Sequence, residues 1–129
     1  MLTQLSKHHD SLNEQAKELN SRGAILATEC LNLHKKCPKK ALGTVHEPDY
    51  RKLVGSLLLY KKHVAEYEKR VRVVSNLADK TYETRASLSK LDTIIITKIR
   101  DDLLIWHQNV TKLQKNIEDE LALAEPKLI

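Results

Sequence analysis

The stretch LTQLSKHHDSLNEQAKELNSRGAILATECLNLHKKCP (residues 2–38) carries leucine at every seventh position: Leu5, Leu12, Leu19, Leu26 and Leu33. Leu2, His9, Ala16, Gly23, Cys30 and Cys37 form a companion series, so the spacing alternates three and four without a slip from residue 2 to residue 37. Residues three and four apart share one side of a 3.6-residue turn, so the stretch reads as one helix with a narrow apolar seam. Pro38 ends it, because the residue before a proline is pushed out of the helical region. A parallel leucine-zipper dimer would prefer Val or Ile in the companion series. Here that series is small or polar, which lets a neighbouring helix approach closely and favours a bundle within the chain.

Working outward, residues 38–47 form a loop. Thr44-Val45-His46-Glu47 matches a capping box, with Thr44 capping and Glu47 reaching back. Glu47 as the cap with Pro48 at the first helical position fits equally. A second helix over 48–81 follows, with its stripe at Tyr50, Leu53, Leu57, Tyr60, Val64, Tyr67, Val71, Val74 and Ala78. No Gly or Pro occurs between Gly55 and Pro126. The break near residues 81–87 is therefore placed on the interrupted apolar period, with Thr84 or Ser87 able to cap a new helix. The third helix, 87–125, uses Leu88, Leu91, Ile95, Ile99, Leu103, Trp106, Val110, Leu113, Ile117 and Leu121. Five β-branched residues, 93–97, favour a strand by propensity, but no second strand exists to pair with them, so they are read as helical.

The composition agrees with few, long helices. The 129 residues include only three Gly and three Pro, against 30% charged residues and 41% hydrophobic ones. Sandwiches, barrels and doubly wound sheets need more frequent turns, and disorder needs fewer aliphatics. The expected fold is one all-α domain over residues 1–129: an elongated, antiparallel, up-down-up three-helix bundle with coiled-coil-like packing. In that alignment Trp106 lies level with residues 19–23, and Gly23 is expected to make room for its indole.

Charge is uneven. Residues 35–72 carry eleven Lys/Arg against four Asp/Glu, while the chain's net charge is +5. Such a zone favours acidic partners. Lys35, Lys36, Lys39 and Lys40 surround the end of the first helix, and Lys61 and Lys62 lie on the outer face of the second. The simplest role of the four at the helix end is to solvate terminal carbonyls and complement the helix dipole. Leu58, Ile94, Ile96 and Ile105 point away from the core stripes and are candidates for a second interface, with a protein partner or with a second copy.

Cys30 and Cys37 stand two helical turns apart, about 10.5 Å, too far for a disulfide, which fits a reducing compartment. Residues 1–10 show no apolar signal segment, so an intracellular, cytoplasmic or nuclear location is expected. Cys30, His34 and Cys37 share a helix face and are zinc-competent types, with His46 across the loop. Structural zinc sites more often gather paired Cys two to four residues apart, so these are read as small core residues flanked by a histidine, and no metal or cofactor site is assigned. No nucleophile–base spacing or glycine-rich phosphate loop occurs, so no catalytic residue is assigned either.

Val64-Ala65-Glu66-Tyr67-Glu68-Lys69-Arg70-Val71 resembles the middle of the second helix of a spectrin repeat. Ile95, Ile99, Trp106, Val110 and Leu113 are similar to the apolar spacing of that family's third helix, where a Trp is common. The characteristic first-helix Trp of the family has no counterpart here. The resemblance implies a spacer or scaffold role with cytoskeletal or membrane-skeleton partners. The expected function is a non-enzymatic protein–protein interaction module acting through helix faces on acidic or helical partners. The alternative is a basic module for nucleic acid or anionic membrane surfaces.

Overall fold

The computed structural model describes residues 2–129. Three helices dominate: α1 (Leu2–Lys36), α2 (Glu47–Glu83) and α3 (Lys90–Ala124), with 3-10 turns over Arg85–Ser87 and Glu125–Leu128. There is no strand among the described residues. The protein is an all-α three-helix bundle, and its helix ends follow local chemistry. The loop after Pro38 turns at Gly43, whose φ of 77° is readily adopted only by glycine. Thr44 Oγ1 accepts from the His46 amide at 3.2 Å, and Glu47 reaches back to the Gly43 amide, one residue before the Thr44 amide expected of the box.

The unpunctuated break is real, but it is built differently from the expectation. α2 runs on to Glu83. The Thr84 and Ser87 hydroxyls donate back to the Thr81 and Thr84 carbonyls, at 2.9 and 2.8 Å, tightening the exit from α2. The cap of α3 is Ser89, whose Oγ accepts from the Asp92 amide at 3.1 Å.

The phase of α3 corrects two assignments. Ile96 was expected outside, yet it is fully buried; Leu91, expected on the core stripe, is 67% exposed. The core stripe runs Ile96, Ile99, Leu103 and Val110, and three-four alternation backwards from Leu103 lands on residues 99, 96 and 92 rather than 95 and 91. The crowded β-branched run hid this phase, since Ile94, Ile95 and Ile96 are equally apolar.

The chain divides into two compact units, and all three helices contribute to each. Unit 1 comprises the chain up to Glu18 and Glu66–Thr111; unit 2 comprises Leu19–Ala65 and Lys112–Ile129. In unit 1, Leu5, Leu12, Val71, Val74, Ile99 and Leu103 are buried together, and Tyr67 donates its hydroxyl to the Leu12 carbonyl at 3.2 Å. Burial pushes that phenol up to about 12, against the opposing pull of Arg70. Arg100 Nε binds Asp79 Oδ1 at 2.9 Å, tying α3 to α2.

In unit 2, Tyr60 donates to the Leu19 carbonyl at 2.6 Å and Tyr50 to the Cys37 carbonyl at 3.1 Å. As α2 residues advance from 50 to 60, their α1 partners retreat from 37 to 19, so the two helices are antiparallel. Lys61 with Glu118 and Tyr50 with Lys127 show α3 antiparallel to α2. A phenol hydroxyl on an apolar seam is costly unless bonded. Each of these three tyrosines solves that by giving its proton to a backbone carbonyl of α1 or of the residue just after it.

Candidate functional site

The densest polar chemistry lies in unit 2, where the C-terminal 3-10 turn meets the loop after α1. The amides of Ala41 and Leu42 donate to the Lys127 carbonyl at 2.8 and 3.0 Å, fixing that residue's backbone. Its side chain turns inward. Lys127 Nζ donates to the Cys37 carbonyl at 2.8 Å and the Tyr50 hydroxyl at 2.9 Å, and lies 3.1 Å from His34 Nδ1. Three ammonium protons thus meet three acceptors. One of them is a carbonyl at the end of α1, where a cation also complements the helix dipole.

His34 is consequently neutral in character. Burial and then the Lys127 charge hold its imidazole below the usual value, while Glu120 pulls the other way. With Nδ1 accepting from lysine, the ring proton sits on Nε2, which faces Glu120 Oε2 at 3.9 Å. Both of these atoms are buried without a hydrogen-bond partner. Cys30 completes the group: burial, then a hydrogen bond to Glu120 and its charge, push the thiol up to about 12. Such a thiol stays protonated and is a poor nucleophile and a poor ligand. Among the described residues, no group of three or more His, Cys, Asp and Glu is placed to hold a metal ion.

Glu120 and Lys127 were not foreseen. Glu120 does have a sequence signal, because three-four alternation along α3 through Val110, Leu113 and Ile117 continues to Glu120, a carboxylate on the seam. Lys127 has none, since its role depends on a turn that folds back onto the loop.

Glu120 also borders a groove of about 380 Å³ between α1 and α3 of this unit. Gly23, Ala24 and Ala27 form the α1 wall, Leu57 and Tyr60 reach it from α2, and Leu113, Asn116 and Ile117 line α3. Small residues on α1 are what leave it open. Leu26, which also lines it, is only half-buried in consequence. The expectation for Gly23 is corrected here. A Cβ on Gly23 would lie 2.6 Å from the Tyr60 hydroxyl, so the glycine makes room for a tyrosine of α2. Trp106 belongs to unit 1, where it stacks on His9 with ring centroids 5.0 Å apart.

The expected partner-binding residues do not converge on one place. Lys35, Lys36, Lys39, Lys40, Lys61, Lys62 and Leu58 are exposed in unit 2, with Lys61 paired to Glu118 at 2.6 Å. Ile94 and Ile105 are exposed in unit 1, at 65% and 52%, and Ile96 is core. Charge separates cleanly. Unit 2 holds twelve Lys/Arg against seven Asp/Glu, the whole net charge of +5, whereas unit 1 holds ten of each.

Unit 1 has a smaller polar focus. His9 Nε2 lies 2.7 Å from Asp102 Oδ2, which also accepts from Lys98 at 3.2 Å. Burial pushes the Asp102 carboxyl up, but the bonds from His9 and Lys98 outweigh it and hold the group below its usual value. No helix is long and apolar enough to cross a membrane among the described residues. Set against known protein families, curated proteins and solved structures, the chain matches none of them.

Proposed function

We propose that this chain is a non-enzymatic scaffold module that holds a helical segment of a partner protein against the α1/α3 groove of unit 2. The observation that carries this reading is the groove itself: small residues on α1 leave an open trough in which Leu26 and Leu113 are only half-buried, beside the buried Leu57, Tyr60 and Ile117. A stripe of Gly and Ala lets a further helix approach closely, and Asn20, Asn116 and Asp119 at the rim supply polar contacts. The up-down-up order and the Val64–Val71 segment support a spectrin-like spacer role with cytoskeletal partners. Two buried free thiols suit a reducing, intracellular setting. The protonated Cys30 and the lysine-paired His34 support a structural rather than catalytic use of the polar cluster.

Ala24 and Ala27 are exposed on the groove wall, so Ala24→Arg with Ala27→Arg should block the groove and leave the helices intact. Wild type and variant are used to capture proteins from a reducing extract, with circular dichroism confirming equal helicity. A photo-crosslinker at Asn116 then reports which captured chain lies in the groove. The reading expects one set of proteins to disappear with the variant and to crosslink at Asn116. Identical captured sets would sink it. Sedimentation of the pure protein shows whether a second copy is the occupant instead.

A further inference from the structure

We propose that the loop of unit 2 between α1 and α2 is a docking surface for anionic lipid bilayers, with Leu42 and Val45 entering the headgroup region. Val45 is 86% exposed and Leu42 47% exposed. Neither is left out because the loop is loose. The amides of Ala41 and Leu42 bond to the Lys127 carbonyl, those of Thr44 and Glu47 to the Ala41 and Thr44 carbonyls. The Gly43 amide bonds to Glu47 Oε1, and the His46 amide to Thr44 Oγ1. The turn therefore holds two apolar side chains in water while the amides of residues 41–44, 46 and 47 are hydrogen-bonded within the protein. A loop entering the interface of a bilayer needs that same condition, because unpaired backbone groups are costly there.

Charge says which surface fits. Lys35, Lys36, Lys39 and Lys40 flank the turn and are exposed. Of the nearby carboxylates, Glu47 is occupied by the Gly43 amide and Arg51, which leaves Asp49 in the first turn of α2 and Glu125 in the 3-10 turn against four lysines. A cluster of lysines around exposed aliphatics matches an anionic bilayer, where each cation near the surface and each buried methylene add to binding. Nucleic acid would use the lysines but gain nothing from Leu42 and Val45, and no exposed aromatic stands among these lysines to stack on a base.

The test is co-sedimentation of the full chain with phosphatidylcholine vesicles, with and without phosphatidylserine, beside a duplex DNA and a single-stranded RNA probe. Binding to the phosphatidylserine vesicles alone is expected. Each of Lys39→Ala and Lys40→Ala should weaken it about fivefold. Leu42→Ser with Val45→Ser should weaken it about tenfold, and Val45→Trp should strengthen it. Because both positions are exposed, helicity is expected to persist in every variant, and circular dichroism checks this. No binding to phosphatidylserine vesicles overturns the proposal. So does binding that depends on the lysines but is indifferent to Leu42→Ser with Val45→Ser. Nucleic-acid probes that bind more tightly than vesicles, with that same indifference, would reassign the lysines to phosphate backbones.

Discussion

The two units build the same joint from different parts. In unit 1, Tyr67 reaches the Leu12 carbonyl at 3.2 Å; in unit 2, one heptad away, Tyr60 reaches the Leu19 carbonyl at 2.6 Å. The α1 residue four positions after the acceptor is Ala16 in the first case and Gly23 in the second. Each unit also has an α1 histidine in polar contact near α3. His9 in unit 1 meets the carboxylate of Asp102, whereas His34 in unit 2 meets the ammonium of Lys127. The contrast teaches that the tyrosine joint recurs with the heptad, while the local partner decides how each histidine is handled. Unit 1 sets a carboxylate against its histidine. Unit 2 uses a charge that a proton opposes.

The sharpest way to break this contrast is to remove the two partners. Lys127→Met removes a donor from the Cys37 carbonyl, the Tyr50 hydroxyl and His34 Nδ1, and leaves the single Tyr50 proton to serve either the carbonyl or the imidazole, so that one of the two goes without. The loss should be about 3 kcal/mol, the scale of charged hydrogen bonds together with an orphaned buried acceptor. Asp102→Asn keeps the shape and sits at a site 26% exposed on the side chain, so about 1 kcal/mol is expected. Urea unfolding followed by circular dichroism measures both. Equal losses would mean that Lys127 acts only as a surface lysine. Hydrogen exchange adds a local readout: the Ala41 and Leu42 amides, held by the Lys127 carbonyl, should exchange faster in Lys127→Met and unchanged in Asp102→Asn.

How far this was legible in the sequence follows the same division. The seam of α1 and the stripe of α2 could be read, because each is one unbroken alternation of three and four. The phase of α3's start could not, because three adjacent isoleucines fit any phase and Ser89, the true cap, lies past both expected caps, Thr84 and Ser87. The groove was half legible. Gly23 was visibly a residue needing a packing reason, but the reason named was Trp106, since helix alignment was set by length rather than by the tyrosine hydroxyls. The Lys127 cluster was invisible, as it joins segments ninety residues apart through a turn with no periodicity.

Gly23 and Ala16 offer the next test, of middle size. Adding a methyl to Gly23 brings it within 2.6 Å of a hydroxyl already pinned to the Leu19 carbonyl. Yielding means breaking that bond. Gly23→Ala should therefore destabilise by about 1–2 kcal/mol through overpacking, although alanine is the better helix former by about 1 kcal/mol. In a Tyr60→Phe background the obstructing oxygen is gone, and the same substitution should turn neutral or stabilising. That change of sign is the signature. If Gly23→Ala stabilises the wild type, the Tyr60 hydroxyl does not occupy the space, and the difference between the units loses its explanation.

The smallest effect is the one that separates the histidines most directly. His34 is held below the ordinary 6.5 by burial and then by Lys127. As the pH falls below about 6.5 the unfolded chain takes up a proton that the folded chain resists, so stability drops; above that value the contribution is fully present. Asp102 works in a lower window. Its folded carboxyl lies below 3.8, so its contribution is present above that pH and fades as the pH falls through it. Unfolding free energies measured from pH 7.5 to 5 should therefore decline in wild type and decline less in His34→Asn, whose amide oxygen can still accept from Lys127. Asp102→Asn should leave that window alone and flatten the curve only below about pH 4. A decline between pH 7.5 and 5 that survives His34→Asn would place the titrating group elsewhere, and the opposed electrostatics of the two histidines would no longer account for the acid response.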